Sequence, residues 1–315
     1  MQTWVIPYSD QEPAFWEKVA GQFGKHIRSV YFPISAGISA SGRPPQPERH
    51  MQAFLRQAPL PKSVLVNPIV LARPADQAAP AIIDALRQLR GDFGVDSVTV
   101  SGLSLARLIK TALPEYRVGG STLMGIATPA QVLMVKDYLD FLVPDNRLLR
   151  DLAGLQRLRK AFPGEIRLIV NEACLPGCPY RTQHFYEMAY SQAYPESLCQ
   201  ELLGSHPWLR MTGAWVLPRH LSHYEGLYDS LKLAGRVTLR DPARYLQVLE
   251  AYIFRKDILP RDIGAGPASI LEAIDMPDEL FEKILHCNKD CLTCQVCRNY
   301  YEQALGSLGT ETLTQ

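Results

Sequence analysis

The chain has no apolar run approaching the ~18–20 residues of a membrane-spanning helix, so no membrane span is expected. Its first residues, Met1-Gln2-Thr3-Trp4-Val5-Ile6-Pro7, carry neither a basic segment nor an apolar stretch of signal-peptide length. A cytoplasmic location is therefore the expectation. There is no excess of one charge: 33 basic against 32 acidic side chains give a formal net charge of +1, which gives no sign of a general nucleic-acid binder. The basic stretch Arg147, Arg150, Arg157, Arg159 and Lys160 reads first as a solvated helix face. Several signatures are also missing. No GxGxxG follows a candidate strand and no GxxxxGK[ST] occurs, which argues against a dinucleotide fold and a P-loop. Neither GxSxG nor HExxH is present, so serine-hydrolase and zincin chemistry lack their usual frames. Internal repeats and low-complexity tracts are absent.

Cysteine is scarce through most of the 315 residues and concentrated in two places. Cys174, Cys178 and Cys199 form one group; Cys287-x3-Cys291-x2-Cys294-x2-Cys297 forms the other. Core cysteines behave as small hydrophobes and scatter; thiols at such short intervals point to a shared ion or cluster. Disulfides would need an oxidising compartment, and seven is an odd number. A four-cysteine zinc site is the alternative to iron–sulfur ligation. The tight tail, without a loop separating two pairs, favours a 4Fe-4S cluster. Seven ligands allow two clusters, one closed by four thiolates and one with an open iron. They also allow one cluster drawing on Cys174, Cys178, Cys199 and a tail cysteine. The Cys287-x3-Cys291-x2-Cys294 spacing matches that of radical S-adenosylmethionine enzymes, but there the motif follows the first strand rather than closing the chain.

The remaining composition, 47% hydrophobic and 21% charged, is that of a globular protein. Eight short apolar runs alternate with helical patterns: 30–34, 64–67, 98–101, 116–118, 139–143, 166–170, 214–217 and 230–233. Near-continuous apolar strands separated by helices indicate a parallel sheet covered on both faces. Helices are predicted over 80–90, from Thr128 as N-cap with Pro129 at the first position, over 150–162, 243–255 and 278–285. Eight strand–helix units in about 210 residues predict an α/β fold, a (β/α)8 TIM-type barrel; a doubly wound sheet is the alternative. The expected organisation is a barrel over 1–244 and a helical, cysteine-rich extension over 245–315, with 305–315 frayed.

In such barrels the chemistry sits at the C-terminal ends of the strands. That rule selects Ser35, Asn67, Ser101, Ser121, Asp145-Asn146, Asn171-Glu172-Cys174, Pro218-Arg219 and Lys232 to Arg236. The first cysteine group falls on this face, surrounded by Asn171, Glu172, Arg181 and His184. Such neighbours orient a ligand or tune a cluster, and Glu172 beside a metal is a candidate general acid or base.

The segment from Leu168 to Cys178, continuing Pro179-Tyr180-Arg181-x-x-His184, resembles the U32 peptidase (collagenase-like) family. So do Asp145 to Leu152, Trp215 to Tyr224 and Leu231-Lys232-Leu233-Ala234-Gly235-Arg236, in the same order along the chain. The resemblance implies a barrel and an iron–sulfur cluster. It also implies one of three roles. The first is oxygen-independent hydroxylation, or a related redox modification, of a small molecule, RNA or peptide. The second is the hydrolysis that the family name denotes. The third is a noncatalytic, cluster-bearing subunit working with a partner of the same family. The candidate catalytic residues are Glu172, Arg181, His184, Lys232 and Arg236; the candidate cofactor contacts are Asn146, Arg150 and Asn171; the candidate metal ligands are the seven cysteines. Two departures stand out. Leu217 precedes Pro218 where the family has an arginine, and Arg219-His220 follow where it has acidic residues. The Cys174-x3-Cys178 spacing is also narrower than in the hydroxylation members.

Overall fold

A computed structural model describes residues 2–35, 37–43, 48–191, 198–236, 238–264, 274–291 and 293–311. Eight strands close into one parallel barrel in chain order. They are β1 (Trp4–Pro7), β2 (Ile27–Pro33), β3 (Lys62–Val66), β4 (Ser97–Val100), β5 (Arg117–Gly120), β6 (Phe141–Leu142), β7 (Glu165–Ile169) and β8 (Ser230–Lys232). The helices are α1 (Pro13–Phe23), α2 (Met51–Gln57), α3 (Ala75–Phe93), α4 (Leu103–Ala112), α5 (Pro129–Val135), α6 (Leu152–Ala161), α7 (Arg181–Tyr190), α8 (Leu198–Ser205), α9 (Pro242–Phe254), α10 (Asp278–Leu285) and α11 (Val296–Glu311). The β1–β8 pairing, Trp4 beside Leu231 and Val5 beside Lys232, closes the ring. The barrel expected from periodicity is therefore the fold, and the doubly wound alternative falls away.

One expected strand is replaced by an unexpected one. The run 214–217 is buried but is not a barrel strand. It crosses the end of β7 through a single antiparallel bridge, Trp215 to Asn171, and Pro218 then starts a 3-10 turn. The missing strand is β1, whose apolar residues end at Pro7. The first cysteine group thus follows the seventh strand, not the sixth. Pro218-Arg219 no longer counts as a strand end. Arg219 instead donates to Asp275 Oδ1 at 2.6 Å and Met276 O at 2.8 Å, and the buried His220 ring stacks on Phe281 with centroids 4.0 Å apart.

Local chemistry accounts for the helices. Thr128 and Gln131 form a reciprocal capping box with Pro129 at the first position of α5, and Gly94 adopts a left-handed conformation to end α3. The main core lies between the strands and the helix ring, while Val5, Tyr31 and Leu65 form a separate apolar cluster. On β5, Gly119 is required by packing: a Cβ there would stand 1.8 Å from the Phe141 ring. Arg167 covers the same ring at 3.6 Å and pairs with Glu165.

The last barrel helix runs through the boundary expected at residue 244. On α9, Tyr245 Oη donates to Pro7 O at 2.5 Å and Tyr252 Oη to Val216 O at 2.9 Å, and the Tyr252 ring meets Trp4. These buried aromatics tie α9 to β1. The extension proper is α10 and α11, and α11 continues as helix through Glu311 where fraying from 305 was expected; residues 312–315 lie outside the described residues. Among the described residues no helix is long and apolar enough to cross a membrane.

Candidate functional site

The C-terminal end of β7 builds the centre of the barrel mouth. Asn171 is fully buried, and its whole amide is engaged. Nδ2 donates to Ala234 O and Ile263 O, both at 3.0 Å, and Oδ1 accepts from the Ala234 N–H at 2.7 Å. Asn171, expected as a cofactor contact, therefore ties β7 to the segments after β8 and α9. Next to it Glu172 is 6% exposed and accepts from Arg181 Nη1 at 2.5 Å through Oε1. Its Oε2 has no hydrogen-bond partner among the described residues. The ion pair with Glu172 and the nearby Cys174 raise the Arg181 pKa against the opposing effect of burial.

Cys174 belongs to this carboxylate–guanidinium group rather than to a group of thiols. Burial first, and the Glu172 charge second, push its thiol up to about 12, against the opposing fields of Arg181 and Arg43. Cys178 closes a turn, its N–H donating to Leu175 O at 3.2 Å, and Cys199 lies on α8. Adjacency in sequence does not bring these three thiols together: among the described residues no three metal-ligating side chains stand as a ready metal site.

His184, on the first turn of α7, is half-buried with Nε2 unpartnered among the described residues. Burial, followed by Arg43 and Arg181, holds its pKa below the usual histidine range, and Glu187 opposes them. Lys232 ends β8 inside the mouth, with Nζ 4.2 Å from the centre of the Tyr31 ring. Burial, then Arg167 and Arg236, pull its pKa down to about 7, with Glu172 opposing. Arg236 Nη2 donates to Ser41 Oγ at 3.3 Å. Asn146 is buried with neither amide atom partnered among the described residues, and it shares a cavity of about 10 Å³ with Glu172. That space is on the scale of one water molecule.

The tail cysteines share a cavity, although they too do not stand as a ready metal site among the described residues. Cys287, Cys291, Cys294 and Cys297 all line one cavity of about 280 Å³, whose other walls include Arg150, Pro176, Trp208 and Thr212. Burial first, then the neighbouring thiols Cys291, Cys287 and Cys294, raise the Cys297 pKa to about 11, while Arg150 lowers it. Burial and the charges of Cys287, Cys294 and Asp290 raise that of Cys291. Arg150, at the end of the 3-10 turn Asn146–Arg150 after β6, is 3% exposed. Its Nη2 donates to Gly213 O at 2.8 Å and Trp215 O at 2.7 Å, and its guanidinium covers the Phe281 ring of α10 at 5.1 Å. Nε has no partner, and no carboxylate pairs with this cation, among the described residues.

All four tail thiols line one cavity with the buried Arg150, yet among the described residues no three of them stand as a ready metal site. Thiolates are the donor type that both iron–sulfur clusters and zinc take, and a buried cation beside them would offset the charge of an anionic group.

A second cavity, about 510 Å³, opens on the same face over the ends of β1, β2 and β8. It is lined by Arg43, Arg49, Arg236 and Arg240 together with Asp10, Glu48 and Ser41. Sequence reasoning selected only Ser35 and Arg236 of this wall. Asp10 was missed because β1 was missed, although the apolar Trp4-Val5-Ile6 followed by polar Ser9-Asp10 is the available signal. Arg43 lies in a Gly/Pro-rich connection that carries no periodicity.

No family model matches the chain. It is 27% identical over 237 residues, 68% of each chain, to the uncharacterized protease MJ1657 of Methanocaldococcus jannaschii. Its fold is similar to the solved structure of the U32 peptidase Mk0906, at 16% identity and a TM-score of 0.54, covering 74% of this chain and 92% of that one.

Proposed function

We propose that the chain is a member of the U32 peptidase family, as its likeness to the Methanocaldococcus protease and to the U32 peptidase fold supports, and that it is an iron–sulfur protein performing oxygen-independent hydroxylation or a related redox modification at the barrel mouth. The observation that carries this reading is the single cavity lined by all four tail cysteines and by Arg150. A 4Fe-4S cluster held by Cys287, Cys291, Cys294 and Cys297 would supply electrons. Zinc is the competing occupant of the same four thiols.

The chain's own residues do the rest. Arg181 holds the Glu172 carboxylate in place at 2.5 Å, leaving Oε2 without a protein partner among the described residues. Lys232, with its pKa near 7, is able to take up or give a proton at Nζ under neutral conditions. Arg236 and Arg43 line the adjoining cavity and orient what enters it. Water is limited in the inner mouth, because Glu172, Lys232 and Asn171 are all buried.

A second reading, hydrolysis of peptides, fits the name of the Methanocaldococcus relative. It draws on His184, whose Nε2 is unpartnered, and on Glu172 nearby in the same segment. A third keeps the cluster but assigns the chain a noncatalytic role beside a family partner.

Anaerobic purification followed by iron and sulfide analysis separates these. About four irons per chain, abolished by Cys287→Ser or Cys294→Ser, is the expected result. A colourless protein with stoichiometric zinc would sink the redox reading. Peptide cleavage that survives removal of the metal would establish the hydrolase.

A further inference from the structure

The 510 Å³ cavity over β1, β2 and β8 has an unusual charge balance. Four guanidinium groups face it, from Arg43, Arg49, Arg236 and Arg240, against the carboxylates of Asp10 and Glu48. Asp10 is already engaged. Its Oδ1 accepts from Tyr8 Oη at 2.8 Å and the His50 N–H at 2.9 Å, and its Oδ2 from the Arg49 N–H at 3.1 Å. It holds the loop rather than neutralising the arginines. Glu48 is exposed at the surface yet feels the field of Arg236, so it offsets part of that charge and leaves Arg43 as the cation without a carboxylate among the described residues.

The inner wall is ordered around a buried serine. Ser41 Oγ accepts from Arg236 Nη2 at 3.3 Å and donates to Arg43 O at 3.2 Å. Arg43 lies 4.2 Å over the Phe185 ring and donates to Gly42 O at 3.0 Å. Among the described residues it has no carboxylate partner. A guanidinium fixed on an aromatic face presents its remaining N–H groups as a planar fork, the geometry that suits carboxylate and phosphate. Pro33, Ile34 and Ala189 also line the cavity and give it apolar surface.

We propose that this cavity binds a small organic anion, with its carboxylate or phosphate on Arg43 and Arg236 and its apolar body against Pro33, Ile34 and Ala189. The volume matches a ligand of metabolite size. The cations line a concavity rather than a track, and a chain of net charge +1 lacks the field of an RNA binder. The same arginine reaches the inner mouth: the field of Arg43 acts on both Cys174 and His184. As the identity of the substrate class, this rests on the redox reading above; as an anion site, it stands without it.

The test uses the anaerobically purified full chain, with iron measured in the same batch. Benzoate, inorganic phosphate, neutral benzamide and a short single-stranded RNA are titrated by calorimetry. Benzoate or phosphate binds and benzamide does not; which anion binds more tightly assigns carboxylate or phosphate. Arg43→Gln and Arg236→Gln each weaken binding by about tenfold or more. Should either fail to fold, Arg49→Gln with Arg240→Gln at the exposed rim weakens binding by about threefold in the folded protein. Benzamide binding as tightly as benzoate, no binding of either anion, or RNA binding that small anions do not displace would each overturn the proposal. The Cys294→Ser chain keeps anion binding. Absent iron with intact anion binding thus removes the cluster reading alone, and intact iron without anion binding removes this one alone.

Discussion

Asn171→Ala is the sharpest test of how the mouth is assembled. The wild-type amide is fully buried and makes three hydrogen bonds, at 2.7, 3.0 and 3.0 Å, to the Ala234 N–H, Ala234 O and Ile263 O. Truncation leaves one backbone donor and two backbone acceptors without their partner. Each costs about 1–3 kcal/mol when water cannot replace it. The space left admits some water, so we expect a total loss of about 3–5 kcal/mol. At ~2–4 °C per kcal/mol for a domain of this size, the melting temperature falls by about 10 °C. Asn171→Asp keeps an acceptor for the Ala234 N–H but turns its second oxygen on two carbonyls, so it should be no milder at neutral pH. Urea and thermal unfolding, followed by far-ultraviolet circular dichroism, measure both. A loss under about 1 kcal/mol, accompanied by loss of bound iron or anion, would refute the reasoning: Asn171 would then be a ligand contact and not a clamp.

Removing the charge of Arg150 should make cluster reduction harder. A unit charge roughly 8 Å away at an effective dielectric of about 20 contributes about 2 kcal/mol, so Arg150→Gln lowers the midpoint potential by about 90 mV and Arg150→Lys changes it little. A redox titration that finds Arg150→Gln unchanged at full iron content would count against this. Lys232 has a folded pKa of about 7 against an ordinary 10.5, chiefly through burial. Its desolvation penalty is therefore full below pH 7 and fades as pH rises toward 10.5. Lys232→Met should accordingly stabilise the fold by up to about 5 kcal/mol at pH 6 and by little near pH 10.5; denaturant unfolding at the two pH values checks it. Glu165 behaves oppositely. Burial alone would raise its pKa, but Arg167, Arg117 and Ser230 bring it down to about 2 from 4.5. Its contribution, about 3 kcal/mol, is present above pH 4.5 and lost as pH falls toward 2. Glu165→Gln should destabilise by that amount at pH 7, and its melting curve should converge with wild type near pH 2.

Periodicity made the barrel legible because parallel strands buried on both faces are apolar throughout, and seven of the eight runs mark true strands. The one exchange has a physical cause. Ala214-Trp215-Val216-Leu217 is as buried as a strand but owes this to covering the end of β7, and periodicity does not distinguish a cover from a staves-and-helices repeat. The strand-end rule brought Glu172, Lys232 and Arg236 to the barrel mouth, because that placement depends only on local position. It did not foresee the backbone bonds of Asn171, since a strand-end asparagine announces polarity but not where its amide will bond. The cysteines divide in the same way. Cys174 and Cys178 are four apart in sequence and joined by a turn, yet with Cys199 they form no group of three ligands among the described residues. The four tail thiols share a cavity only because α10 and α11 dock against the barrel, a tertiary event that spacing does not encode.

The loop from Cys174 to Cys178 gives this division its meaning. At one end Cys174 joins Glu172 and Arg181 in the mouth; in its middle Pro176 forms part of the tail-cysteine cavity. One short loop is thus in contact with both places. The charges on its two sides differ in kind. On the tail side a single buried arginine, Arg150, faces four thiols. On the mouth side Arg181 pairs with Glu172, and Arg43 and Arg236 line the adjoining cavity together with Asp10 and Glu48. A second anionic cluster on Cys174 would have to displace the Glu172–Arg181 pair, whose members are both largely buried, and breaking such a pair is costly. The proposed organic anion would sit in the adjoining cavity and leave that pair intact. On the proposed reading, one cluster at the tail and an anionic ligand at the mouth are therefore expected rather than two clusters sharing seven cysteines.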